Sequence, residues 1–284
     1  MQNLASQPIV AQLHAKIKTL AAECIDRGVD PLLAVVLVGS NPASLTYVQM
    51  KEKAALELGI ILSIYHIEET APFSEIEATI HFLAQDPEVH GLIVQLPLPD
   101  AFPTAQVDAL LAGIPSSKDV DGLSGEWKNA HLPEPNLAAF LHPHAPLLPP
   151  MIGSVISLLD YYQYPPKNKE VVLVGNGRLV GQPLAYYLQS QKIAVDVVDE
   201  ETPKILEHTQ KADILITGTG EKDLITYQWV KEGVVVINTS GDVHVESVSQ
   251  VAEALSPTIG GVGPLTVAWL LYNTVAAARK ELNG

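Results

Sequence analysis

The sequence predicts an α/β protein of two domains whose last helix returns to the first domain. Three observations carry this expectation. Short apolar runs alternate with helix-length amphipathic segments, a stretch rich in proline and histidine from Leu132 to Pro150 interrupts the alternation, and a glycine-rich turn follows the interruption. Alternation of strand and helix implies a mostly parallel sheet covered on both faces and joined by right-handed crossovers.

Before the interruption the expected strands are Leu32–Val38, Ile61–Ile67 and Gly91–Leu96, and the expected helices are Ala43–Leu58, Ser74–Ala84 and Thr104–Ala112. After it comes a helix over Met151–Tyr162. A second series follows: strand Glu170–Val174, helix Leu179–Gln191, strand Ala194–Asp199, helix Pro203–Lys211, and strands Asp213–Thr217 and Val234–Asn238. The final periodic stretch, Pro264–Leu282, opens with proline at a first helical position and ends at Asn283-Gly284. The expected domains are therefore 1–145 with 264–284, and 146–263.

A chain of 284 residues, 47% hydrophobic and 17% charged, buries a sizeable core. Its 17 basic and 32 acidic side chains leave a net charge of −15, which repels a phosphate backbone or an anionic membrane surface. Nucleic acid and membrane are thus not expected as partners. The single cysteine, Cys24, forms neither an internal disulfide nor a cysteine-based zinc site, which suits the cytosol. The first residues carry no leader-like pattern and no apolar run approaches membrane-spanning length, so a cytoplasmic location is expected.

Val171–Val174 runs into Gly175-Asn176-Gly177-Arg178-Leu179-Val180-Gly181, between a predicted strand and a predicted helix. In a dinucleotide-binding turn of this kind the first glycine permits the tight bend, the second admits a pyrophosphate to the backbone and the third lets helix and strand approach. The free N–H groups of the helix start then face the anion. A turn of glycines that binds nothing is the competing reading. Asp199 closes the next strand, 24 residues after Gly175. A carboxylate there, with Glu200 beside it, accepts hydrogen bonds from ribose hydroxyls and repels a 2′-phosphate, which favours NAD over NADP. Equally, the two acids suit the start of a helix.

Tyr47 and Lys51 stand four residues apart, on one face of a helix entered from Gly39-Ser40-Asn41-Pro42. Beside an aromatic ring, a lysine whose pKa is depressed by desolvation can carry protons, although an ordinary surface lysine fits the spacing as well. The segment VGSNPASLTYVQMKEKAALELGI, Val38 to Ile60, resembles the methylenetetrahydrofolate dehydrogenase/cyclohydrolase family. In the family's order there follow GLIVQLPLP (Gly91 to Pro99), KDVDG (Lys118 to Gly122) and IGGVGPLT (Ile259 to Thr266).

The resemblance implies an N-terminal catalytic α/β domain, a Rossmann-type domain, NAD or NADP as cofactor, a folate substrate and a homodimer. Lys51 would be the catalytic lysine, Gln95 would hold it and the reacting water, Tyr47 would stack on the folate ring system, and Asp121 would bind the pterin edge. Pro264 and Leu265 would border the substrate. Gly175, Asn176, Gly177, Arg178, Gly181, Asp199 and Ser240 would serve the nucleotide. The chain departs from the family's pattern at Asn176-Gly177, around Pro149–Gly153, at Ile259 where proline is usual, and after Asn238-Thr239-Ser240, where a loop is missing. Single-activity and non-catalytic nucleotide-binding proteins are the alternatives. No metal is expected, since His142-Pro143-His144 has no third ligand at helical spacing. Lys53 is a candidate for meeting an anionic folate tail.

Overall fold

A computed structural model describes residues 1–282. The chain divides into two compact units. A central unit comprises Met1–Ala11, Leu132–Ala145 and Met151–Thr266; an N-terminal unit comprises Gln12–His131, Pro146–Pro150 and the chain from Val267 on.

The N-terminal unit is built on three parallel strands in the order Ile61–Ile67, Leu32–Val38, Gly91–Val94. The middle strand reads LLAVVLV, is buried from Leu33 to Val38, and needs apolar residues on both faces. Helix Phe73–Gln85 turns Ile76, Ile80 and Leu83 into the core, and helix Thr104–Ala112 adds Val107, Leu110 and Leu111. Helix Pro42–Leu58 is capped at both ends. Asn41 Oδ1 accepts from the backbone N–H groups of Ala43 (2.9 Å) and Ser44 (3.2 Å), and Gly59 ends the helix at φ +76°. Within the same unit the C-terminal helix lies on the third strand: a Cβ on Gly91 would come within 2.9 Å of Thr274 Oγ1. The helix returns to the first domain as expected.

The central unit holds a six-stranded parallel sheet. Its order is Gln2–Asn3, Ala254–Leu255, Val235–Asn238, Ile214–Thr217, Val171–Val174, Val195–Val198. Strand order reverses around Val171–Val174, the switch point at which open α/β sheets bind ligands. Helix Gly181–Ser190 buries Pro183, Leu184, Tyr187 and Leu188.

Several expectations are corrected. Helix Gln7–Asp26 has no counterpart in the expected elements, although Ile9, Leu13, Ile17, Leu20 and Cys24 are buried at helical spacing. The helix expected over Pro203–Lys211 shrinks to Ile205–Thr209 because Asp199–Thr202 forms a turn. The C-terminal helix begins at Val262, before Pro264. The compact units also divide the chain differently from the expected boundaries. Residues 1–11 group with the central unit, where Gln2–Asn3 pairs with Ala254–Leu255 and the Tyr162 hydroxyl donates to Ala5 O at 2.7 Å. Leu132–Ala145 groups there too, since Tyr187 donates to Pro133 O at 2.8 Å and Asp160 accepts from Leu137 N at 2.9 Å. Such distant partners leave no mark on local periodicity. Among the described residues, no helix is long and apolar enough to cross a membrane.

Candidate active site

In the N-terminal unit the chain leaves strand Leu32–Val38 through Gly39, at φ +72°, and enters the helix that carries Tyr47 and Lys51. Tyr47 is exposed, and Lys51, one turn on, is partly buried. Lys51 Nζ donates to Gln95 Oε1 at 2.8 Å. Gln95 directly follows strand Gly91–Val94; its backbone N–H donates to Val36 O at 2.8 Å and its Nε2 to Leu96 O at 2.8 Å. A flipped amide would set its NH₂ against the lysine and its oxygen against a carbonyl, so the side chain has one workable orientation.

Burial pushes the Lys51 pKa below the ordinary lysine value, and the Asp121 carboxylate partly offsets that shift. For Asp121 burial acts upward, Lys51 pulls downward, and Asp119 adds to the rise. Lysine, amide and carboxylate thus form one electrostatic unit.

Three of the five residues KDVDG, namely Lys118, Asp119 and Gly122, hold the loop in place. Lys118 Nζ donates to Asp86 O at 2.5 Å. Asp119 is buried and accepts from Leu123 N (3.0 Å), Ser124 N (2.9 Å) and Ser124 Oγ (2.5 Å), while burial raises its pKa against those bonds. Gly122 adopts φ +70°, its carbonyl accepts from Trp127 Nε1 at 2.9 Å, and a Cβ there would lie 2.5 Å from Pro149 Cγ. Asp121 alone of the two acids is left to act on Lys51.

In the central unit Gly175 has φ +101°, and a Cβ on it would meet Gly218 O at 2.7 Å. Gly181 is tighter still, because a Cβ would fall 2.1 Å from Gly175 O. Over Gly177 there is nothing within 4 Å, so the backbone beside exposed Asn176 is open to a pyrophosphate. The loop fits a dinucleotide on this observation. Arg178 is partly buried on the same turn.

Two expected nucleotide residues are engaged internally. Asp199 Oδ1 accepts from Glu201 N (3.2 Å) and Thr202 Oγ1 (3.1 Å), so it builds a turn, where the sequence offered ribose recognition or a helix start. Ser240 Oγ donates to Asp242 Oδ1 at 2.5 Å. Pro264 is partly buried on the first turn of the C-terminal helix, whereas the Leu265 side chain is sealed in the core.

Sequence reasoning passed over Gly218 and gave no role to Asp242. Asp242 is fully buried and accepts from Thr219 N (2.8 Å) and Gly220 N (3.1 Å). Gly218 admits Val180 to 2.5 Å of the place a Cβ would take. Their signal in the sequence is a Gly-Thr-Gly run after a strand and an acid in an apolar stretch, neither of which names a partner. The His142 and His144 rings lie 5.5 Å apart. Among the described residues, no group of three or more His, Cys, Asp or Glu is placed to hold a metal ion.

Residues 4–121 match the model of the tetrahydrofolate dehydrogenase/cyclohydrolase catalytic domain, and residues 149–282 match that of the family's NAD(P)-binding domain. The chain is 37% identical over 289 residues to the bifunctional protein FolD of Nautilia profundicola, with 98% of each covered. It superposes on the crystal structure of the Campylobacter jejuni bifunctional enzyme FolD, a methylenetetrahydrofolate dehydrogenase/cyclohydrolase, with a TM-score of 0.86 at 36% identity over 99% of each chain. The Trypanosoma brucei dehydrogenase-cyclohydrolase, complexed with NADP and an inhibitor, gives a TM-score of 0.86 at 25% identity over 99% of this chain and 98% of that one.

Proposed function

Because this chain belongs to the tetrahydrofolate dehydrogenase/cyclohydrolase family, we propose that it oxidises 5,10-methylenetetrahydrofolate to the 5,10-methenyl compound with NAD(P) and hydrolyses that product to 10-formyltetrahydrofolate. The observation that carries the reading is the hydrogen bond from a desolvated Lys51 to an oriented Gln95, beside the charge of Asp121. Bound NAD or NADP supplies the hydride acceptor for the first step. Gly175, Asn176, Gly177, Arg178 and Gly181 hold the nucleotide through their backbone turn.

In the second step water adds to the cationic methenyl carbon, forming a C–O bond and losing a proton. A Lys51 amine accepts that proton, and Gln95 fixes where the amine stands. The hydroxyl proton then passes to N5 as the C–N5 bond breaks, which leaves the formyl group on N10. One proton is released overall. Tyr47 offers an exposed ring for stacking on the folate, and Asp121 accepts hydrogen bonds from the N–H donors of the pterin edge.

NAD is the preferred nucleotide in this reading. Asp199 and Glu200 stand after strand Val195–Val198, where negative charge opposes a 2′-phosphate even with Asp199 engaged in a turn. The protein works as a homodimer in the cytoplasm. Support for the dimer comes from the open edge strand Ile61–Ile67, with Ile61 47% and Ile64 40% exposed and Leu56 on the preceding helix 81% exposed. Sedimentation at micromolar concentration tests it, and a monomer refutes it. The activities are tested by incubating purified protein with methylenetetrahydrofolate and NAD or NADP in parallel, following methenyl and formyl products. Both should form, faster with NAD; methenyl without formyl, or no oxidation, overturns the bifunctional reading.

A further inference from the structure

Asn273 lies in the C-terminal helix, 3% exposed, with its side chain turned to two backbone carbonyls from separate segments. Its Nδ2 donates to Val120 O at 2.9 Å and to Leu148 O at 2.8 Å. Two converging carbonyls call for two donors on one atom without a charge to bury, and a primary amide supplies them. The Val120 carbonyl belongs to the peptide unit that leads into Asp121. Its orientation sets the start of the Asp121 side chain.

On the other side of Asp121, Gly122 meets Pro149 closely enough that a Cβ would come within 2.5 Å of Pro149 Cγ. The loop is therefore set against the Leu148-Pro149 segment twice, through the Asn273 amide before Asp121 and by direct contact after it. Removing the amide leaves two buried carbonyls unpaired, and a backbone that shifts to recover partners takes Asp121 with it.

We propose that Asn273 is a positioning residue for the folate site: its amide holds the Val120–Asp121 peptide unit and so sets where the Asp121 carboxylate stands. The inference rests on the reading that Asp121 and Lys51 serve the folate. Asn273 itself touches neither group in this role.

The test compares Asn273→Leu and Asn273→Ser with Asp121→Ala and with the double variants, using methenyltetrahydrofolate as substrate. Either folded single variant should raise KM about tenfold with a smaller loss in kcat and no change in nucleotide affinity. Its hydrolysis profile should also move the limb governed by Lys51 to lower pH, because a displaced Asp121 no longer raises the lysine. In the double variants the Asn273 change should add nothing to Asp121→Ala, as expected of two residues acting through one contact. Full additivity, or an unchanged KM and pH limb in the single variants, overturns the proposal. Failure of both Asn273 variants to fold does so too, by assigning the residue to stability alone. If Asp121→Ala itself leaves folate binding intact, the underlying reading of Asp121 fails instead.

Discussion

The two units both place polar side chains near the carboxyl ends of parallel strands, but they treat them differently. In the N-terminal unit, Lys51 is desolvated, tied by one hydrogen bond to Gln95, and acted on by the charge of Asp121. In the central unit, Asp199 folds onto its own turn, Ser240 donates to Asp242, and Asp242 takes up two backbone N–H groups. The first keeps charge short of full compensation, which is what the proposed hydrolysis would use. The second uses these side chains to build loops, and in the proposed reading recognition falls to the backbone of Gly175 to Gly181.

The contrast breaks most sharply at Lys51. Lys51→Met keeps the apolar stem and should cost about 10² to 10⁴-fold in hydrolysis of supplied methenyltetrahydrofolate. Nucleotide binding, read by fluorescence titration, should be untouched. Gly181→Val is the converse: a side chain 2.1 Å from Gly175 O must displace the turn. Nucleotide affinity should fall on the order of 100-fold while methenyl hydrolysis persists.

Asp121→Ala should weaken folate binding by about 1.5–3 kcal/mol in calorimetry, the cost of a charge-assisted hydrogen bond, with nucleotide affinity unchanged. Asp199→Ser tests the side-chain share of the central unit. It should narrow the NAD preference only about threefold, about 0.6 kcal/mol, as for a screened surface charge, since the carboxylate also serves its own turn.

An effect on stability, not on activity, belongs at the opposite end of the N-terminal sheet, where His90 is buried. His90 Nδ1 accepts from Leu32 N at 3.2 Å and Nε2 pairs with Glu281 Oε2 at 3.1 Å. Burial pushes its pKa below 6.5 despite Glu281 and Asp30, with Lys118 adding to the fall. The folded state therefore binds fewer protons than the unfolded one. The stability from neutral His90 is present above pH 6.5 and is lost as the pH falls through the folded pKa. Urea midpoints at descending pH should fall less steeply in His90→Gln, by at most about 1.4 kcal/mol per pH unit for one proton.

Much of the framework was legible because periodicity is local. Strands Leu32–Val38 and Ile61–Ile67 and helix Thr104–Ala112 have the expected bounds. The glycines of the turn were legible because steric need selects them; Gly175 and Gly181 meet that need, while Gly177 leaves space. Hydrogen bonds between distant segments were not legible. Asn273 in an apolar helix gives no sign that it reaches residues 153 and 125 positions away, and KDVDG does not reveal which of its two acids is spent on the loop. Nor did the motif around Leu265 reveal that its side chain is buried.

The proposed hydrolysis depends most directly on the state of the Lys51 amine, which a heteronuclear NMR titration of its side-chain nitrogen reads in the intact protein. The expected result is a midpoint below the ordinary lysine value of 10.5, falling further in Asp121→Asn, where the carboxylate's upward pull is gone. A midpoint at or above that value, or one that Asp121→Asn leaves unmoved, contradicts the coupling on which the proposed hydrolysis depends.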